Sequence, residues 1–187
     1  DIVVFDDEAC AQEKTRVYGL RQQSEKKQGK PNLCLADYIQ PIGSDVTDYI
    51  GAFAVSAGLG LEHLIADFEA ENDDYMIMMA KAVADRFAEG CAEYMHYHVR
   101  TELWGYVQDE GLSNDDLIAE KYQGIRPAPG YPANPDHTQK ITLWDMLDVE
   151  NAVGISLTDS LAMMPASSVS GWYFAHPDSR YFGVGMI

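Results

Sequence analysis

Arg126-Pro-Ala-Pro-Gly-Tyr-Pro132, followed at once by Ala133-Asn-Pro-Asp-His-Thr138, places four prolines, a glycine, an arginine and a tyrosine within ten residues. Proline fixes φ and offers no N–H, so neither a helix interior nor a central strand runs through this stretch. It reads as a stiff, extended loop whose shape is set before any ligand arrives. A guanidinium stands at one end and an aromatic ring five residues later. Guanidinium is the usual partner of a carboxylate, which it grips through two parallel hydrogen bonds. The plainer reading of such a composition is a structural loop wrapping a domain edge.

Outward from the loop the chain alternates short extended segments with helices. Ile2–Phe5 reads as a strand, while Ala9–Arg16 shows no clear period, and Ser24-Glu-Lys-Lys-Gln-Gly-Lys30 is a solvated turn. Leu33–Ile39 and Tyr49–Val55 read as two strands joined by the turn-rich Gln40–Asp48, which predicts an antiparallel pair. Leu61, Leu64, Ile65 and Phe68 have helical spacing, and Asn72-Asp-Asp74 caps a long second helix. Along that helix Met76, Met79, Ala80, Val83, Phe87, Cys91, Tyr94, Met95 and His98 trace an apolar stripe predicted to face the core. Ser113-Asn-Asp-Asp116 opens a short helix ending near Lys121, and Thr142–Leu147 gives another. Ile155–Thr158, Ser170–Ala175 and Tyr181–Gly185 close the chain as strands. The sum is one α+β domain over 1–187: a mostly antiparallel twisted sheet, flanking helices and one long central helix.

Composition narrows the function. At 187 residues and 47% apolar content a single substantial core is expected. No apolar run reaches about 18 residues, so no membrane span is expected, and the acidic start Asp1-Ile-Val-Val-Phe-Asp-Asp-Glu8 points to no secretory leader. Cys10, Cys34 and Cys91 form neither a CxxC nor a disulfide framework, which fits a reducing cytoplasm. A formal charge of −17 argues against binding nucleic acid through its phosphates.

Other motifs resolve toward structure. Gly51–Gly60 has one Gly-x-Gly unit and lacks the third glycine of a dinucleotide fingerprint, so its glycines serve a turn into the helix. His96-x-His98 is no metal pair on a helix, since residues two apart do not share a face; His98 is expected to pack and His96 to face solvent. His63 reads as a surface residue, and a Gly-x-Ser-x-Gly elbow is missing.

The loop and its flanks, Tyr122-Gln-Gly-Ile-Arg126 and Ser168-Val-Ser-Gly-Trp-Tyr-Phe-Ala-His-Pro-Asp-Ser179, closely resemble the activation domain of cobalamin-dependent methionine synthase. Leu20-Arg-Gln-Gln-Ser-Glu25, Asp48–Val55 and Leu112–Leu117 are similar to the same family, in one order along nearly the whole chain. The resemblance implies a ligand, S-adenosylmethionine, and a set of contacts. Arg126 matches the arginine on the ligand's carboxylate, and Glu89 and Glu120 match glutamates near its positive sulfonium. Ala128 and neighbouring backbone match the adenine end, and Tyr181 another contact. Tyr131 matches a tyrosine that approaches cobalamin, Asp85 an aspartate that bonds the histidine released from cobalt, and His137 stands near them.

The function so implied is reductive methylation of cob(II)alamin. This domain binds S-adenosylmethionine and caps cobalamin carried by a partner cobalamin-binding domain, while a flavodoxin-like reductase supplies the electron. A local basic patch around Lys26, Lys27 and Lys30 is a docking candidate for that reductase. The chain is then a cytoplasmic piece of a methyltransferase that makes no methionine alone, without the family's N-terminal segment and C-terminal tail. The alternative is a stand-alone, non-catalytic module binding S-adenosylmethionine or a corrinoid.

Overall fold

The structure is a computed structural model that describes residues 1–27 and 29–185. Gln28 of the expected polar turn and Met186-Ile187 beyond the last expected strand lie outside them. Strands β1 (Ile2–Phe5) and β2 (Glu13–Val17) pair antiparallel, with a register shift at Val4/Phe5. Next come β3 (Gly51–Ser56), α1 (Leu61–Ala70) and the long α2 (Asp74–His98). α2 runs on through one π-helical stretch, Val99–Leu103. The remainder is α3 (Asn114–Ile118), α4 (Gln139–Leu147), α5 (Val149–Val153), β4 (Ser156–Leu157), β5 (Met163–Met164) and β6 (Ser168–Tyr173). The α+β class, the mostly antiparallel strands and the long helix are as expected from sequence. The pairings form three two-stranded sheets, β1-β2, β3-β6 and β4-β5.

The β3-β6 ribbon organises the molecule because each of its faces builds a different core. Phe53 and Val55 point to one side with Tyr173, where Ala92 and Val99 of the long helix and its extension meet them. Trp172 and Phe174 point to the other side, among Leu143, Trp144, Val149 and Ile155. Strand alternation thus separates the residues that α2 covers from those that α4 and α5 cover. Phe53 lies opposite Gly171 in the register, and its ring stacks on Tyr173 at 4.6 Å.

Several expectations are corrected. Leu33–Ile39 is not a strand: Leu35–Tyr38 forms a 3₁₀ turn, because Asp37 Oδ2 accepts from Cys34 N at 2.9 Å and is itself held by Arg21. β3 consequently pairs with β6, across the chain. β2 falls where no period was visible; its residues Glu13, Lys14 and Arg16 are polar, and only Val17 is buried. Tyr181–Gly185 makes no strand; Val184 N donates to Pro132 O at 2.9 Å and Val184 O accepts from Gln23 N.

The stripe on α2 is borne out only in part: Cys91 and Met95 pack against the Phe53 and Tyr173 core, but the rest of the inner face lies elsewhere. Val83, Phe87 and Tyr94 are exposed, while Ala84, Ala88, Ala92 and His96 are buried. Where the helix presses closest on the ribbon, alanines leave room for the Phe53 and Tyr173 rings, and His96 enters the same face by stacking on Tyr173. His96 is 0% exposed, whereas His98 is partly exposed beside Glu102.

Candidate functional site

The proline loop is held as an added edge on the end of β6. Ile125 and Phe174 exchange both backbone hydrogen bonds at 3.0 Å, and Trp172 N donates to Pro127 O at 2.9 Å. Such close approach needs glycine at 171, where a Cβ would stand 2.8 Å from that same Pro127 oxygen. Further along, Gly130 has φ +94°, a backbone conformation that strains any residue with a side chain, and a Cβ there would also push the exposed His137 ring aside. Gly130 N donates to Asn134 O and Asn134 N to Tyr131 O, which closes the loop on itself.

Between this loop, β6 and the C-terminal segment lies a cavity of about 610 Å³, a size suited to a small organic ligand. Its walls are largely apolar, with Phe53, Met163 and the loop prolines among them. Five of the residues singled out from sequence line it together: Glu89, Arg126, Ala128, Tyr131 and Tyr181. His137 lines it too. Tyr131 is 62% exposed at the rim, and Tyr181 is 38% exposed with its hydroxyl turned inward to accept from Arg126 N at 3.0 Å. Two residues stand apart. Glu120 is exposed outside the wall, where its charge helps to raise the Tyr181 phenol, which burial raises most. Asp85 lies on α2 and accepts from Ser167 Oγ at 2.6 Å. Ser170 Oγ, buried in the cavity wall, has no protein partner among the described residues.

Behind the wall is a polar network built around His96, which the sequence placed toward solvent and the structure buries. Arg126 Nη2 donates to Glu93 Oε2 at 2.7 Å. Its Nη1 donates to the Tyr122 hydroxyl at 2.9 Å and to His96 Nδ1 at 3.2 Å. Arg100 lies over the Tyr122 ring at 4.2 Å and pairs with Glu110 through Nε and Nη2, both at 2.7 Å. Both members of that pair are buried. Burial, helped by the Arg100 and Arg126 charges, holds His96 down at about 2. Burial also pushes the Tyr106 phenol up to about 12, with Arg100 opposing and Glu110 assisting, and it raises Tyr122 well above its ordinary range. The network therefore carries two positive and two negative groups around neutral rings. Glu93 and His96 stand three apart on α2, with Arg100 four beyond His96, a spacing that was the available signal for a shared polar face.

The fold and cavity define a small-molecule-binding α+β domain, in which a proline-stiffened loop presents a guanidinium to a largely apolar chamber. The chain belongs to the vitamin B12 dependent methionine synthase activation domain family, whose model matches residues 1–187. Its fold is similar to a crystal structure of the MetH reactivation domain bound to AdoHcy, at 54% identity and a TM-score of 0.95. The alignment covers 99% of this chain and 57% of that one. Among the described residues no helix is long and apolar enough to cross a membrane.

Proposed function

We propose that the chain binds S-adenosylmethionine in the loop-floored cavity and offers its methyl group to cobalamin held by a partner domain, so that inactive cob(II)alamin is reductively methylated and the synthase restored. One observation carries this reading. Arg126 stands in the wall of a 610 Å³ cavity, in a chain 54% identical to a reactivation domain that binds AdoHcy. The residues fit the ligand's chemistry. A guanidinium answers the carboxylate, the Glu89 carboxylate answers the sulfonium, and apolar wall with the orphan Ser170 hydroxyl is left for the nucleoside. Glu120, Ala128 and Tyr181 complete the proposed contacts.

Cobalamin, when its domain is docked, supplies the metal that accepts the methyl group. This chain's contribution is position: it holds the donor still and dry at a fixed place, where proximity yields much of the rate. Tyr131, exposed at the rim, is the proposed contact to the corrin. Val83, Phe87 and Tyr94, exposed along α2 with Asp85 on the same helix, offer the incoming domain apolar surface to cover. The electron comes from a flavodoxin-like reductase; Lys27 and Lys30 remain docking candidates, while Lys26 donates to Gln22 at 2.7 Å.

Calorimetric titration of S-adenosylmethionine tests the reading. The unaltered chain is expected to bind, and Arg126→Ala to bind at least about tenfold more weakly, the usual loss for a charged hydrogen-bond partner. Equal affinities in the two proteins would remove the carboxylate grip from Arg126.

A further inference from the structure

His96 is a fully buried histidine on the helix that flanks the cavity, and its packing alone does not require a histidine. The ring stacks on Tyr173 at 5.1 Å and meets the edge of Tyr122 at 5.1 Å. A phenyl ring would fill that slot equally well. What a phenyl ring lacks is Nδ1, which lies 3.2 Å from Arg126 Nη1. Guanidinium has no acceptor, so Nδ1 must accept and the proton must sit on Nε2, which faces the Tyr106 hydroxyl at 3.5 Å.

We propose that His96 is a positioning residue for Arg126: with Tyr122 it commits both Nη1–H donors, which fixes the plane of the guanidinium. Glu93 takes one Nη2–H. Among the described residues the Nε–H and the second Nη2–H have no protein partner, and these remain to meet a ligand carboxylate. Without His96 the fork keeps only the Tyr122 and Glu93 anchors, its plane is less tightly fixed, and one Nη1–H is left unpaired in a buried place. The neutrality of the imidazole is what permits this, since a protonated ring would present a donor to a donor; Arg100 and Arg126, the cations that face it, help burial to keep it neutral. The inference rests on the reading of Arg126 as the carboxylate grip.

The test compares two ligands that share the thioether nucleoside but differ in the amino-acid end: S-adenosylhomocysteine and 5′-methylthioadenosine. His96→Phe is expected to weaken S-adenosylhomocysteine by about tenfold or more while leaving methylthioadenosine within about twofold. His96→Asn, whose Oδ1 can take the place of Nδ1, should recover S-adenosylhomocysteine to within about threefold. Equal loss for both ligands, no loss for either, or an asparagine variant as poor as the phenylalanine one overturns the proposal. Should His96→Phe fail to melt cooperatively, nitrogen-15 spectra of the unaltered chain decide instead: His96 must be the Nε2–H tautomer, and an Nδ1–H signal overturns it. Arg126→Ala is titrated alongside. If it binds S-adenosylhomocysteine as the parent does, the grip and this inference fall together. If it binds weakly while His96→Phe is unchanged, only the role of His96 falls.

Discussion

Gly171 and Gly90 show how one methyl group has opposite effects at two places. A Cβ at 171 would meet the Pro127 carbonyl at 2.8 Å and the Phe53 ring at 2.9 Å, whereas at 90, on the exposed side of α2, it meets nothing within 4 Å. Gly171→Ala is expected to cost about 2 kcal/mol through overpacking, and Gly90→Ala to add about 0.5–1 kcal/mol through helix propensity. Urea midpoints of the two variants check both signs. His96 gives a second prediction, on pH. Its folded value of about 2 lies below the ordinary 6.5, so between those values the unfolded chain takes up a proton that the folded chain refuses. Stability is therefore unaffected by this group above about 6.5 and falls as the pH drops beneath it. Going from about pH 7.5 to about pH 5.5 should lose about 1 kcal/mol from this ring, a loss absent in His96→Asn.

At the level of elements, α2 and its π-helical extension both cover the ribbon and carry the charges behind the cavity. Arg100 and Glu110 are the costly part: removing one partner strands the other charge in the interior. Glu110→Gln is expected to destabilise by about 3–5 kcal/mol, while the paired replacement Arg100→Met with Glu110→Leu recovers most of it; thermal unfolding of the three proteins distinguishes them. The same helix marks the limit of what could be read from sequence. Its existence, length and Asp73 cap were legible, the cap accepting from Met76 N at 3.0 Å as its position foretold. Its buried face was legible only at Cys91 and Met95, because periodicity weights large side chains and the fully buried positions are mostly alanine. His96 followed the alanines inward at positions 84, 88 and 92. Leu33–Ile39 failed for a different reason. Its apolar residues suit a strand, but Asp37 bonds back to Cys34 and tightens the turn locally, a competition that propensity does not register. Glu89, Arg126, Ala128, Tyr131 and Tyr181 of the cavity wall were legible through the proline loop and the family likeness, whereas Glu93 and His96 act one layer behind, where only their spacing with Arg100 along the helix hinted at a shared polar face.

Over the whole molecule the strongest influence is charge. A formal net of −17 on 187 residues makes the folded chain repel itself. Raising sodium chloride from about 20 mM to about 300 mM shortens the Debye length to well under 10 Å and should raise the melting temperature. A flat response would mean that the acidic groups are already compensated locally. The layered plan, a ribbon between one long helix and two short ones, was only half visible from sequence, since strands were recognisable singly and their partners were not.

That ribbon joins residues such as Ser56 and Ser168, 112 positions apart, and this has a consequence for biosynthesis. A chain leaving the ribosome exposes β3, α1 and α2 first, and these wait for β6 before their shared core can close. The proline loop emerges in the interval, already stiff, but the Trp172 and Phe174 backbone groups that moor it are not yet made. Cavity and core are thus completed by the same late event. A translational pause or a truncation anywhere before Ser168 leaves Arg126 on an unmoored loop, and the nascent domain has no partly working stage.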